Sequence, residues 1–379
     1  MTEQKKTQQK KKFPWGTVIF FLCCLALGAF IGIAMGESEQ EPDFSKFLIA
    51  YAAFIAAFLV HLVVHEAGHM VAGLMTGYRF LSFRIGSLMW EKQKDGKIHR
   101  SHFSLAGTGG QCLMQPPKYN NGNFPYVWYN LGGGLANFIL SAICGVLLFV
   151  VKNDDVQLCL WMVLISGVLL GATNLIPFSS KTVNNDGSNI VSISKSPAAK
   201  RAFWLQMQSN YCIAMGQRLK DMPDEWFKKA PENERNNMMV TAMEVLACNR
   251  LMDQLNVQAA EQEMRSLVND PDVAGIYRSL LALEIAFCEL LLGVKDGYAK
   301  KMEEKELNAF IKTMKNFPSV LRAQYAKAVL ADNNQESAEK YLAAFEKMTK
   351  TYPHPSELAG ERELLQLVDG AAQKSPMDA

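Results

Sequence analysis

The chain has 379 residues, a formal net charge of +2 and a charged fraction of 20%, so its length allows two or three domains of ordinary size. This near-neutral balance argues against a nucleic-acid partner, because phosphate binding needs a concentrated basic face. The eight cysteines include no Cys-x-x-Cys pair, which argues against a cysteine-based zinc site. For the soluble half of the chain we expect a reducing compartment.

Four apolar stretches are long enough to cross a bilayer as helices, which takes about 20 residues each. They cover roughly residues 15–35, 47–75, 127–151 and 156–178. The first follows basic residues, as a signal peptide does. It is too long for one and lacks a small-residue cleavage site, so we expect it to stay as an anchor.

Charges in the loops predict how these spans are oriented. Lysines precede the first span, acidic residues follow it, and basic residues again dominate between the second and third spans. Because positive residues stay on the cytoplasmic side, we expect a multi-pass membrane protein with its N-terminus and its C-terminal half in the cytoplasm. The membrane that we expect is a bacterial cell membrane.

The segment between the second and third spans does not have a helical pattern. Residues 78–85 and 97–105 alternate in part, and Asp95-Gly96 between them is a strong hairpin-turn signal. We therefore expect a β-hairpin over residues 78–106, beside the second helix. The glycines and the proline pair of residues 107–117 predict irregular backbone after it.

The second span contains the motif His65-Glu-Ala-Gly-His69. Residues i and i+4 share a helix face, so the two imidazoles can bind one ion, and Glu66 lies close enough to reach a metal-bound water as general base. The alternative is a helix with satisfied core histidines. That alternative is weak in a lipid-spanning helix, where such residues are costly unless they serve a site.

Two further residues near this motif have open roles. His61 lies one turn before His65 and is either a further ligand or, as we favour, a histidine hydrogen-bonded to a neighbouring helix, because a catalytic zinc keeps one position open. A third protein ligand is then needed. Asp186, the one acidic residue between Asp155 and Asp221, follows the fourth span on the same membrane side and is our prediction; the alternative is an ordinary Asp-Gly turn.

Three elements in this order resemble the site-2 protease family of intramembrane zinc metalloproteases. They are the His65–His69 motif, the segment Gly133-Gly-Leu-Ala-Asn137 in the third span, and Asn174-Leu-Ile-Pro177 followed by Asp186-Gly187. This resemblance covers roughly residues 45–195. It implies one Zn²⁺ held by His65, His69 and Asp186.

The same resemblance implies that Glu66 activates water and that Asn137 helps to hold the substrate or the oxyanion. Two features depart from the family pattern: Gly134 stands where the family has proline, and the gap between Pro177 and Asp186 is longer and more polar. Since a transmembrane helix must unwind before its peptide bonds can be attacked, we expect the hairpin to hold the unwound segment by strand addition.

The C-terminal half reads as consecutive helices separated by short breakers. The predicted helices cover residues 198–221, 236–251, 257–268, 274–292, 300–314, 319–330, 337–350 and 356–368. They resemble a tetratricopeptide-type array, with an irregular helical bundle as the alternative. Either arrangement offers a cytoplasmic surface for a protein partner. The apolar run 279–292 contains two glutamates, so we expect a buried soluble helix there and not a fifth span.

These observations predict a mainly α-helical fold with three parts. Residues 1–45 form the basic tail, first span and acidic loop, residues 46–195 the membrane catalytic core with its hairpin, and residues 196–379 the cytoplasmic helical domain. The function predicted first is a zinc-dependent endopeptidase that cuts transmembrane segments or signal-peptide remnants near the cytoplasmic face. The alternatives are a membrane-embedded peptidase for soluble peptides and an inactive homologue that serves as a membrane adaptor.

Overall fold

A computed structural model of the chain describes residues 44–374, apart from 104–107, 121, 178–183, 232–233, 235–236, 271–272, 274 and 295–296. By its contacts the chain forms two compact units. Among the described residues, one unit contains 44–61 together with 134–188, and the other contains 62–133 together with 189–374.

Three helices in the described part are long and apolar enough to cross a membrane. They are α1 (Phe44–Met75), α2 (Tyr126–Leu147) and α3 (Asp154–Leu175), and they coincide with the second, third and fourth predicted spans. The predicted first span, residues 15–35, lies outside the described residues. The Asn153 side chain caps α3 by accepting a hydrogen bond from the Val156 amide, which satisfies a donor that the first helical turn leaves unpaired.

A four-stranded antiparallel sheet follows α1, in the order β3-β2-β1-β4. Its strands are β1 (Arg79–Ile85), β2 (Leu88–Lys92), β3 (Ile98–His102) and β4 (Gly110–Gln115). The predicted single hairpin is therefore wrong in two respects. The Asp95-Gly96 turn is present but joins β2 to β3, and β4 occupies a segment expected to be irregular.

The strand that the sequence interpretation missed, β2, follows a tight turn at Gly86, whose φ of +58° lies in the left-handed region that favours glycine. This turn lets Leu88 pair directly with Ile85. Because β1 then pairs with β2 on one side, its other side is free to take β4, in a register that places Gly110 opposite Ile85.

The C-terminal half is a succession of helices, as predicted. The helices are α4 (Asp186–Ser194), α5 (Pro197–Ala214), α6 (Met238–Asp253), α7 (Val257–Val268), α8 (Gly275–Leu291), α9 (Tyr298–Lys301), α10 (Lys305–Thr313), α11 (Pro318–Leu330), α12 (Gln335–Thr349) and α13 (Pro355–Lys374). Three predicted ranges differ from the structure by more than two residues. The helix expected over 198–221 ends at Ala214, the one expected over 300–314 is divided into α9 and α10, and the one expected over 356–368 continues to Lys374.

Helix α8 forms the centre of the largest apolar cluster, with Leu283, Ile285 and Phe287 fully buried. Its two glutamates are also buried and each meets an arginine: Arg322 contacts Glu284 at 2.7 Å, and Arg265 contacts Glu289. The expected buried helix is thus present, since its apolar face packs on its neighbours and its acids are paired. The tetratricopeptide interpretation stays a prediction.

Candidate metal centre

The two histidines of the motif point at one location. His65 and His69 lie one turn apart on α1, and their Nε2 atoms are 3.1 Å from each other. Two nitrogen ligands of a tetrahedral zinc, each with a bond of about 2.0–2.1 Å, lie roughly 3.3 Å apart. The pair therefore has the spacing that one zinc ion requires.

A backbone contact fixes the orientation of His69. Its Nδ1 lies 2.7 Å from the Tyr129 carbonyl oxygen, and a carbonyl only accepts, so Nδ1 carries the proton and Nε2 presents its lone pair. Tyr129 is itself held, because its hydroxyl donates to the Cys112 carbonyl at 2.6 Å and its ring stacks on Tyr78 at 5.0 Å. The tautomer of His69 is thus the one that a metal needs.

Gly133 on α2 makes room for both imidazoles. A Cβ placed on it would lie 2.5 Å from Cε1 of His65 and 2.6 Å from Nε2 of His69. Ordinary contacts between such atoms are about 3.5 Å, so no side chain fits here while the rings keep their positions. The close approach of the α2 backbone is therefore part of how the pair is built.

Glu66 lies beside the first residue of strand β4. Its side chain is buried, and a Cβ on Gly110 would come within 2.6 Å of its Oε1 atom. Since β4 is an edge of the sheet, the carboxylate is close to a strand edge to which an extended peptide could be added.

Arg84 is a charged residue near Glu66 that the sequence interpretation treated only as a loop charge. It is 1% exposed, and its guanidinium donates to the Gly86 carbonyl at 2.6 Å, the Thr108 hydroxyl at 2.5 Å and the Gly110 carbonyl at 3.4 Å. Burial lowers the pKa of Arg84, and the Glu66 charge opposes that shift. Arg84 thus holds the turn and the start of β4 beside the carboxylate.

Asp186 occupies the first position of α4. The preceding residue, Asn185, ties this position to the end of α3: its Nδ2 donates to the carbonyls of Thr173 and Ile176 at 2.7 Å each, and its Oδ1 accepts from the Ser188 amide at 2.9 Å. The Asn185 side chain therefore links the start of α4 to the end of α3, on either side of the long gap after Pro177.

Among the described residues, His65, His69 and Asp186 form a group that could hold a metal ion. Each offers one ligand atom, and these three atoms lie within 4.8 Å of one another. Two imidazole nitrogens and a carboxylate oxygen form a donor set that suits Zn²⁺.

His61 and Asn137 form a separate pair one turn away. His61 Nε2 lies 2.8 Å from the Val163 carbonyl oxygen, and its Nδ1 lies 3.2 Å from Asn137 Oδ1. The favoured interpretation of His61, a hydrogen bond to a neighbouring helix, is confirmed.

The family model of Peptidase family M50 matches residues 53–360. The chain belongs to this family. The match confirms the resemblance to site-2 proteases and extends well beyond residues 45–195, into the C-terminal helices. No curated protein and no solved structure matches the chain.

M50 is a family of membrane zinc metalloproteases. The three apolar helices and the His-His-Asp group among the described residues agree with membership of that family. The roles of Tyr129 and Arg84 were not found from the sequence, and Gly133 was noted only as part of the family resemblance. Each acts through a contact with a residue distant in the chain.

Proposed function

We propose that this M50 protein is a zinc-dependent intramembrane endopeptidase that hydrolyses transmembrane segments or signal-peptide remnants near the cytoplasmic face. The observation that carries the proposal is the convergence of His65 Nε2 and His69 Nε2 at 3.1 Å in a span-length helix, directly beside Glu66. Ionisable groups at that depth are costly unless they serve a site.

His65, His69 and Asp186 would hold the zinc ion. The separation of their ligand atoms supports this assignment. The hydrogen bonds from Asn185 to the end of α3 support it too, because Asn185 directly precedes Asp186. When bound, zinc supplies Lewis-acid polarisation and makes water a stronger acid. The imidazole pair and the carboxylate leave a coordination position open for that water.

Glu66 is the general base in this proposal. Its carboxylate takes a proton from the attacking water and passes it to the nitrogen of the leaving amide, so the peptide bond breaks with water added across it. Asn137 is proposed to hold the substrate or the oxyanion through an amide N–H.

The substrate segment is proposed to pair with the sheet. We assign the pairing to β4 and not to a strand of the expected hairpin. The reason is that β4 is an edge strand whose Gly110 lies beside Glu66. Pairing would supply hydrogen bonds to a substrate backbone that has lost those of its helix. Leu113→Pro, which removes a β4 amide, should reduce cleavage; unchanged cleavage would contradict the proposed pairing.

The test is cleavage in proteoliposomes. Purified wild-type protein, Glu66→Gln and the control His99→Gln, which changes an exposed histidine of β3, are each mixed with a synthetic single-span peptide and a soluble peptide. We expect wild type and control to cut the single-span peptide near its cytoplasmic end and Glu66→Gln to cut neither. Preference for the soluble peptide would favour the membrane-embedded peptidase.

An inactive homologue that acts as a membrane adaptor is the remaining alternative. The intact His65–His69 motif and Glu66 argue against it, because an adaptor has no need to keep two imidazoles at ligand spacing within a span. In the proteoliposome experiment, an adaptor would cut neither peptide and would bind no zinc.

A further inference from the structure

The C-terminal helices enclose a second polar site, far along the chain from the motif. It is a cavity of about 230 Å³. A water molecule occupies about 30 Å³ of liquid, so the cavity has room for a small organic molecule. Six charged side chains line it: Arg218, Asp253, Glu284, Arg322, Glu357 and Glu361.

The charges around this cavity do not balance. Arg218 contacts Asp253 at 2.6 Å and also pairs with Glu363, which is not part of the lining, and Arg322 donates to both oxygens of Glu284, at 2.9 and 2.7 Å. Both guanidinium groups are therefore already paired with carboxylates. With all groups ionised, the four carboxylates and two guanidinium groups give the lining a charge of −2.

The surplus belongs to Glu357 and Glu361, which lie one helical turn apart on α13. Glu361 shares Arg322 with Glu284, through a contact of 2.6 Å, and Glu357 accepts from the Tyr352 hydroxyl at 2.9 Å. Burial raises the pKa of Glu361, and it raises that of Glu357 to about 7. A cation placed between them would offset the cost of burying their charge.

Arg322 supplies an independent indication of a ligand. It is 1% exposed, and its Nη1 atom has no hydrogen-bond partner among the described residues. A buried donor without a partner is unfavourable, and such groups are uncommon in native proteins. Nη1 is therefore a donor that an acceptor group of a ligand could meet.

We propose that this cavity binds a small organic cation that also carries a hydrogen-bond acceptor, a molecule of the kind and size of a basic amino acid. Its ammonium or guanidinium group would lie between Glu357 and Glu361, and its acceptor would meet Arg322 Nη1. The proposal concerns the C-terminal helices alone and does not depend on the proposed peptidase activity.

Calorimetric titration of the full-length protein in detergent tests the proposal with three probes. L-arginine carries a cation and an acceptor, agmatine carries the cation without the carboxylate, and N-acetylglycine carries the carboxylate without the cation. We expect saturable binding of L-arginine, binding of agmatine at least tenfold weaker, and none of N-acetylglycine. If L-arginine shows no binding up to about 10 mM, the proposal is overturned. A dissociation constant of that size corresponds to only about 3 kcal/mol of binding free energy.

Glu357→Gln keeps the shape of the side chain and removes its charge, and it should weaken L-arginine at least tenfold. Glu346→Gln is the matched control, since Glu346 is exposed on α12 and pairs with Arg362 outside the cavity. Equal affinity of Glu357→Gln and wild type would overturn the site. If Glu357→Gln does not fold, hydrogen exchange of the wild type decides: protection of residues 352–361 by L-arginine supports the site, and its absence refutes it.

Discussion

Gly133→Ala is the substitution that the geometry of the metal centre predicts most sharply. The added Cβ would lie 2.5 Å from His65 Cε1 and 2.6 Å from His69 Nε2, where contacts of about 3.5 Å are normal. At least one ring must therefore move by roughly 0.9 Å, whereas zinc–ligand distances tolerate only about ±0.2 Å. We expect the variant to fold and its zinc affinity to fall.

The size of that loss can be estimated. Removing a group that only orients a ligand costs about 10–100-fold in metal affinity, which corresponds to roughly 1.4–2.7 kcal/mol. A displaced ligand should cost at least as much. The assay is chelator competition for zinc on the purified protein in detergent, followed by cleavage of the single-span peptide at saturating zinc.

Gly145→Ala is the matched control, on the same helix. Its added Cβ would meet Leu164 Cδ1 at 3.3 Å, a contact that a small shift of one side chain relieves, and we expect zinc affinity to be unchanged. Gly133→Ala with wild-type zinc affinity would refute the argument that α2 and the two imidazoles share this space.

Three further predictions concern Glu66, Arg84 and Glu91. Glu66→Gln should keep its zinc and lose cleavage by about 10²–10⁴-fold, the usual contribution of a general base; retained cleavage would rule out this base. Arg84→Gln should lower thermal stability by about 1–3 kcal/mol, because carbonyls now bonded by Arg84 would lose their donors. Arg79→Gln, at an exposed position of the same strand, serves as control, and equal melting of the two variants would contradict the structural role of Arg84. Burial, with a smaller effect from the charge of Glu357, raises the pKa of Glu91 from 4.5 to about 7. The folded protein thus holds an extra proton between these values, and wild-type stability relative to Glu91→Gln should fall as pH rises from about 5 to 8, by on the order of 3 kcal/mol. A pH-independent difference in thermal melts would refute it.

The spans and the histidine motif were predictable because they are local features. A run of about 20 apolar residues satisfies a bilayer by itself, and His65 and His69 share a helix face whatever surrounds the helix. Most of the C-terminal helices were predictable for the same reason, since breakers such as Phe317-Pro318 and Tyr352-Pro353 lie at the junctions of consecutive helices.

The sheet and the surroundings of the motif were not predictable because they depend on distant partners. Asp95-Gly96 is a strong hairpin-turn signal and does form a turn, but no comparable local signal marks the second turn, at Gly86. The Tyr129 carbonyl meets His69 across 60 residues of chain. Asp186 was predicted from its place after the fourth span; that its position is fixed by Asn185 is visible only in the structure.

Metal analysis tests the central claim most directly. Wild-type protein purified in detergent should contain about one zinc ion per chain, His65→Ala should contain almost none, and His99→Ala, at an exposed position in β3, should match wild type. Asp186→Ala measured in parallel shows whether the carboxylate completes the site. Wild-type protein that neither contains nor takes up zinc, or a His65→Ala variant that retains it, would contradict the account.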